Sequence, residues 1–153
     1  MSNNSIKANE LRIGNYITSG VNGVFNKDLM TIGRVIEIGN IDREFEQIYC
    51  ECEESFEWFF KDNYFGIPLT DEWFEKWGFC KDGEYWSRGI WDYKYCFKYR
   101  DWAGNWAFYQ EFTDSPDSKD DGVKYPISFD IMYVHQLQNL WYSLLHEEIY
   151  EQQ

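Results

Sequence analysis

The sequence predicts an α+β fold: a small, bent, SH3-like antiparallel sheet near the N-terminus, a central aromatic-rich β-meander, and two helices over about residues 71–77 and 134–147. Three observations lead there. Short runs alternating apolar and polar residues recur between glycine-bearing turns, the pattern of half-buried strands. Apolar residues switch to helical spacing at only two places. A chain of 153 residues is long enough for one sizeable core but not for two large ones.

Residues 1–10 read as a polar tail without the charged and apolar regions of a signal peptide. Leu11 to Ile17 gives a turn followed by a strand. Thr31 to Ile38 alternates, with Ile32, Ile36 and Ile38 assigned to one face, and Gly39-Asn40 marks a turn. Phe45 to Cys52 is the next strand, with Ile48, Cys50 and Cys52 facing one way and Phe45, Gln47 and Tyr49 the other. These strands define a small barrel-like subdomain over residues 11–60. Residues 61–149 form a second subdomain of meander plus helices, and the two are expected to make one compact unit.

Gly66-Ile67-Pro68-Leu69 interrupts the strand pattern. Thr70 then stands as N-cap before Asp71 and Glu72, acids that favour the positive end of a helix. Trp73, Phe74 and Trp77 share one face of that helix, and Gly78 is placed to end it in a left-handed cap. So short a helix is unstable alone, so its indoles must dock on a sheet. The meander follows as Glu84–Ser87, Tyr93–Arg100 and Trp106–Phe112, with Asp101 to Asn105 as a turn. In the central strand Tyr93, Tyr95, Phe97 and Tyr99 project from one face and Lys94, Cys96, Lys98 and Arg100 from the other. Residues 113–124 read as a solvated loop whose Asp117 run lacks the third-position acid of a calcium loop. Tyr125–Ile131 is a last strand. From Val134 the stripe Val134, Leu137, Leu140, Trp141, Leu144 and Leu145 is helical, with His135, Asn139, Tyr142 and His146 on the opposite stripe.

Composition bounds the function. Fourteen Lys and Arg against 27 Asp and Glu leave a net charge of −13, which repels duplex nucleic acid and anionic lipid. No apolar run is long enough to span a membrane. Cys50, Cys52, Cys80 and Cys96 lack zinc-ligand spacing and read as reduced thiols, so no metal is expected. His135 and His146 stand about 16 Å apart on one helix and cannot share an ion. No nucleophile elbow, phosphate loop or cofactor motif is present, and the chain reads as non-enzymatic. Glu51, Glu53, Glu54 and Glu57 read as a solvated acidic face.

Aromatic residues make up 21% of the chain, with 8 Trp, 12 Tyr and 12 Phe. Most lie between Phe56 and Phe112, either as core filling or as a groove that stacks a planar ligand. The cations Arg88, Lys94, Lys98 and Arg100 fall beside Trp86, Trp91, Trp102 and Trp106. Those eight residues are the candidate site for a small anionic ligand, unless the cations merely pair with Glu84, Asp92, Asp101 and Glu111.

Three segments, Glu10-Leu-Arg-Ile-Gly-Asn-Tyr16, Ile67-Pro-Leu-Thr-Asp-Glu-Trp-Phe-Glu-Lys-Trp-Gly-Phe79 and Tyr133-Val-His-Gln-Leu-Gln-Asn-Leu140, resemble a family of uncharacterised proteins in Bacteroidetes genomes and their phages. Similar proteins often end the last helix with a Leu-Thr-Gly-Glu-Glu-Leu segment. Here His146 replaces that glycine, so the helix is expected to run further. The resemblance implies a phage or mobile-element setting in a host bacterial cytosol, and carries no catalytic residues. It makes an accessory, anti-defence protein the expectation: one that sequesters a nucleotide-like host immune signal or, alternatively, an acidic interaction module or nucleic-acid mimic that inhibits a host protein. Homo-oligomerisation is left open.

Overall fold

The computed structural model describes residues 4–39, 46–112, 123–149 and 151. Two five-stranded antiparallel sheets and two α-helices are found there. The chain divides into two compact units, Met1–Pro68 with Tyr133–Ile149, and Leu69–Met132 with Tyr150–Gln153. The boundary expected at residue 60 therefore falls at 68, and the last helix belongs with the N-terminal sheet.

The first unit contains strands β1 (Tyr16–Ser19), β2 (Thr31–Gly39), β3 (Gln47–Cys52), β4 (Phe56–Phe60) and β5 (Tyr64–Phe65), and helix α2 (Val134–Leu145). Its sheet runs β4-β3-β2-β1-β5. Ile17, Val35, Ile48, Cys50, Phe59, Tyr64 and Tyr133 make its core. The inward face of β3 is the expected one, although Phe45 and Asn40 lie outside the described residues. The inward face of β2 is not. A bulge between Val35 and Glu37 resets the alternation, so Gly33 and Val35 point inward before it and Ile38 after it, while Ile32 is exposed. Gly33 is required by packing: a Cβ there would meet the Cβ of Cys50 at 2.7 Å.

Helix α2 buries Val134, Leu137 and Trp141 of the expected stripe and is also tied to the β1 segment by polar contacts. Gln138 accepts from the Tyr16 N–H at 2.8 Å and donates to the Gly14 carbonyl at 3.0 Å. Asn139 donates to the Glu10 carbonyl and accepts from the Asn15 amide, both at 2.9 Å. His135 and Gln138 are consequently buried and Leu144 is exposed, the reverse of the assignment from spacing for His135 and Leu144. The helix also stops at Leu145. His146 adopts the left-handed conformation at φ 56° and donates its N–H to the Tyr142 carbonyl at 2.7 Å, so it caps the helix instead of extending it. Val134 N–H reaches the Ile67 carbonyl at 2.9 Å, so portions of all three resembling segments meet in this unit.

The second unit contains α1 (Asp71–Lys76), β6 (Cys80–Asp82), β7 (Tyr85–Ile90), β8 (Tyr93–Arg100), β9 (Asn105–Phe112) and β10 (Lys124–Ile131), with sheet order β10-β9-β8-β7-β6. Thr70 is the N-cap of α1, yet its side chain makes no capping bond, and Gly78 ends the helix at φ 75° as expected. Phe74 is the hub of the core, with ring centroids 4.7 Å from Trp106, 5.3 Å from Phe97 and Phe79, and 5.9 Å from Trp86. Such edge-on and offset contacts add to the area each ring buries. Among the described residues no helix is long and apolar enough to cross a membrane.

Candidate functional site

The strand alternation that suggested a site also divides it. Trp86 and Trp106 lie on the ring face of the second sheet and are buried, opposite Phe97 and Tyr99 respectively. Trp86 Nε1 donates to Asp71 Oδ1 at 2.7 Å, and Trp106 Nε1 to the Leu69 carbonyl at 2.9 Å. Arg88 pairs across from Tyr95, hence on the same face, and donates to the Trp77 carbonyl at 3.0 Å, where the end of α1 presents negative partial charge. Lys94, Lys98 and Arg100 occupy the opposite face. Trp91 and Trp102, 89% and 83% exposed, stand in the hairpin turns at the two ends of β8, about 25 Å apart at strand spacing. Arg100 and Trp102 are brought together, with the guanidinium 5.1 Å from the indole centroid. The eight residues do not line one groove.

The face opposite the rings gathers residues that the sequence did not join. Lys124, Glu111 and Lys94 are in register across β10, β9 and β8. Lys124 Nζ lies 3.4 Å from the nearly enclosed Glu111 carboxylate. Burial alone would lower Lys124, but Glu111, with smaller contributions from Cys96 and Tyr85, leaves it above the ordinary lysine value. Tyr85 and Tyr109 meet edge to face at 5.6 Å. Over the Tyr85 ring stand Lys124 Nζ at 4.9 Å and Lys98 Nζ at 5.7 Å. Lys98 is raised mainly by its bond to Glu84, at 2.6 Å. Arg100 binds Asn105 and Asp130. The sequence expectation of pairing with acids thus holds for Lys98 through Glu84, whereas Arg100 uses Asp130 in place of Asp101.

A second feature lies on the first sheet, where β4 is an edge strand. Phe56, Trp58 and Phe60 are 60%, 40% and 54% exposed and share its outer face, while Phe59 points into the core. Tyr49, in register with Trp58, stacks on it at 4.6 Å. Glu51 stands opposite Phe56, and Glu53 and Glu54 occupy the exposed turn into β4. Arg34, the cation on this face, is tied to Glu51 and raised mainly by that bond. The run Phe56-x-Trp58-x-Phe60 carried the period-two signal that identifies this stripe, but three bulky residues in alternation read equally well as core.

Cys50, Cys96 and His135 are withdrawn from solvent, whereas Cys80 and His146 are exposed. Burial pushes the Cys50 thiol up to about 12 and, with Glu111, the Cys96 thiol up to about 11, which keeps both protonated at neutral pH. Burial lowers His135 to about 4. Among the described residues no cluster of His, Cys, Asp and Glu is arranged to hold a metal. A cavity of about 420 Å³ beside Tyr64 sets Lys7 and Lys61 against Glu46 and Asp62, so it carries no net charge to select a ligand. Comparison with protein-family models, curated proteins and solved structures gave no match for this chain.

Proposed function

We propose that the protein is a non-enzymatic interaction module whose β4 stripe docks an extended basic segment of a partner protein. The observation that carries this reading is the exposure of Phe56, Trp58 and Phe60 on a sheet edge beside Glu51, Glu53 and Glu54. Exposed contiguous apolar surface rimmed by charge is a mark of docking. An edge strand offers unpaired backbone groups to an added strand, while alternate side chains select its sequence. A net charge of −13 disfavours a second copy of the chain and favours a cationic partner.

The strand order, with β5 returned to pair with β1, supports the SH3-like description of residues 11–60. In the phage setting suggested by the three motifs, the partner is a basic host protein in the bacterial cytosol, and the acidic surface stands in for nucleic acid. This reading is favoured over the eight-residue ligand groove because the stripe is continuous, whereas the groove residues lie on opposite faces of a sheet and at opposite ends of a strand.

The test is calorimetric titration with a peptide of alternating Lys and Val, comparing the wild type with a Trp58→Ser, Phe60→Ser variant. Saturable binding, weakened between about 0.05 and 0.5 M salt by screening and about a hundredfold by the double substitution, is expected of an aromatic hot spot. Equal affinity of the two proteins, or stripe-dependent self-association in sedimentation with no peptide binding, would remove the basic partner.

A further inference from the structure

We infer that the Tyr85–Tyr109 cluster on the polar face of the second sheet is a separate binding site for a small aromatic phosphate monoester, of the nucleoside monophosphate class. It does not depend on the β4 stripe, which belongs to the other unit.

The argument begins with charge. Glu111 is flanked in register by Lys94 and Lys124, two cations to one nearly enclosed carboxylate. Lys94 makes no ion pair among the described residues. Lys98 stands two positions along the same strand face, and its carboxylate, Glu84, is largely exposed. An ion pair with one such member is readily exchanged. Of the acids on this face only Glu111 is enclosed, while Glu84, Asp130 and Asp82, the last in register with Tyr85, are exposed, so the two lysines beside Glu111 outnumber the buried acid there, in a chain whose total charge discourages long polyanions. A compact dianion can enter where a nucleic acid is repelled.

The aromatic half of the ligand follows from the phenols. Tyr85 and Tyr109 are half-buried and mutually edge-on at 5.6 Å, so the pair is held without being closed over. Both ammonium groups near the Tyr85 ring are on long flexible stems. When the phosphate draws Lys98 and Lys124 toward itself, the Tyr85 ring they stand over becomes available for stacking, a contact of the kind that holds bases on aromatic platforms. Phosphate capture and ring stacking are thereby linked through these two lysines, which selects a ligand carrying both groups.

The experiment is titration of the intact protein with adenosine monophosphate, adenosine and inorganic phosphate at low ionic strength, followed by amide NMR. Adenosine monophosphate is expected to bind saturably, with shifts on β8 and β9, at least tenfold more tightly than either of the others. Lys94→Gln with Lys98→Gln should weaken it at least tenfold. Glu84→Gln, an exposed change that leaves the fold untouched, should tighten it two- to threefold by removing the competing carboxylate. No saturable binding, affinity unmoved by these substitutions, weaker binding by Glu84→Gln, or inorganic phosphate binding as well as the nucleotide would overturn the assignment.

Discussion

Replacing Gln138 by alanine isolates the contact that joins α2 to β1. The side chain is buried and uses both ends of its amide: its oxygen accepts from the Tyr16 N–H at 2.8 Å, and its nitrogen donates to the Gly14 carbonyl at 3.0 Å. Alanine leaves a donor and an acceptor without these partners. With about 1–2 kcal/mol for each group stranded away from water, the loss comes to about 2–4 kcal/mol. In a chain of this size that lowers Tm by about 4–16 °C. Urea unfolding measures the energy, and amide exchange at Tyr16 shows whether the damage is local. Gln138→Glu refines the test. A glutamate here keeps the acceptor for Tyr16 but can donate to Gly14 only when protonated, and burial raises its folded pKa above the unfolded value. Its stability should therefore rise as pH falls through that folded pKa. An alanine variant within about 0.5 kcal/mol of the wild type with Tyr16 equally protected, or a glutamate variant that weakens on acidification relative to the wild type, would show that the helix is held by something else.

Two further outcomes follow from the same unit. His146→Gly should stabilise the protein by about 0.5–1 kcal/mol, since glycine reaches φ 56° without a Cβ penalty; an unchanged or lower urea midpoint would count against a strained cap. His135, lowered by burial to about 4, binds its proton less readily folded than unfolded. The unfolded state takes up protons first, so stability should fall as pH drops from about 6.5 to 4, by a total of about 3 kcal/mol. His135→Phe should flatten that slope in pH-dependent denaturation, and an unaltered slope would assign it to other groups.

The strands of the meander and the existence of both helices were legible because each rests on local periodicity and glycine placement. What periodicity missed was the effect of non-local constraints. The bulge at Val35 changes which isoleucines of β2 face inward, and no residue type near it announces an extra position. Gln138 reads as a polar position on a leucine helix until the Tyr16 amide it serves is in view. The split of the eight-residue ligand site was already implicit in alternation, which puts Arg88 and Lys94 on different faces once the Gly89–Lys94 register is known. Register depends on the β7–β8 turn, where Trp91 takes φ 53°, a value a bulky residue rarely adopts and sequence gives little reason to assign. Exposure of Phe56, Trp58 and Phe60 was hidden for another reason: a strand's pattern says which residues share a face, not whether anything covers it.

The junction at Pro68 and Tyr133 has an implication for synthesis. These two residues bridge one another, and the neighbouring Leu69 and Met132 are joined by a backbone bond of 2.9 Å. A ribosome delivers the five strands of the N-terminal sheet long before the α2 segment that seals them, and the whole stretch 69–132 emerges in the interval. The later-made body can thus finish first, leaving the earlier one unsealed until α2 has been made. The Pro68–Tyr133 bridge also means that a short glycine splice from 68 to 133, replacing residues 69–132, would span little distance.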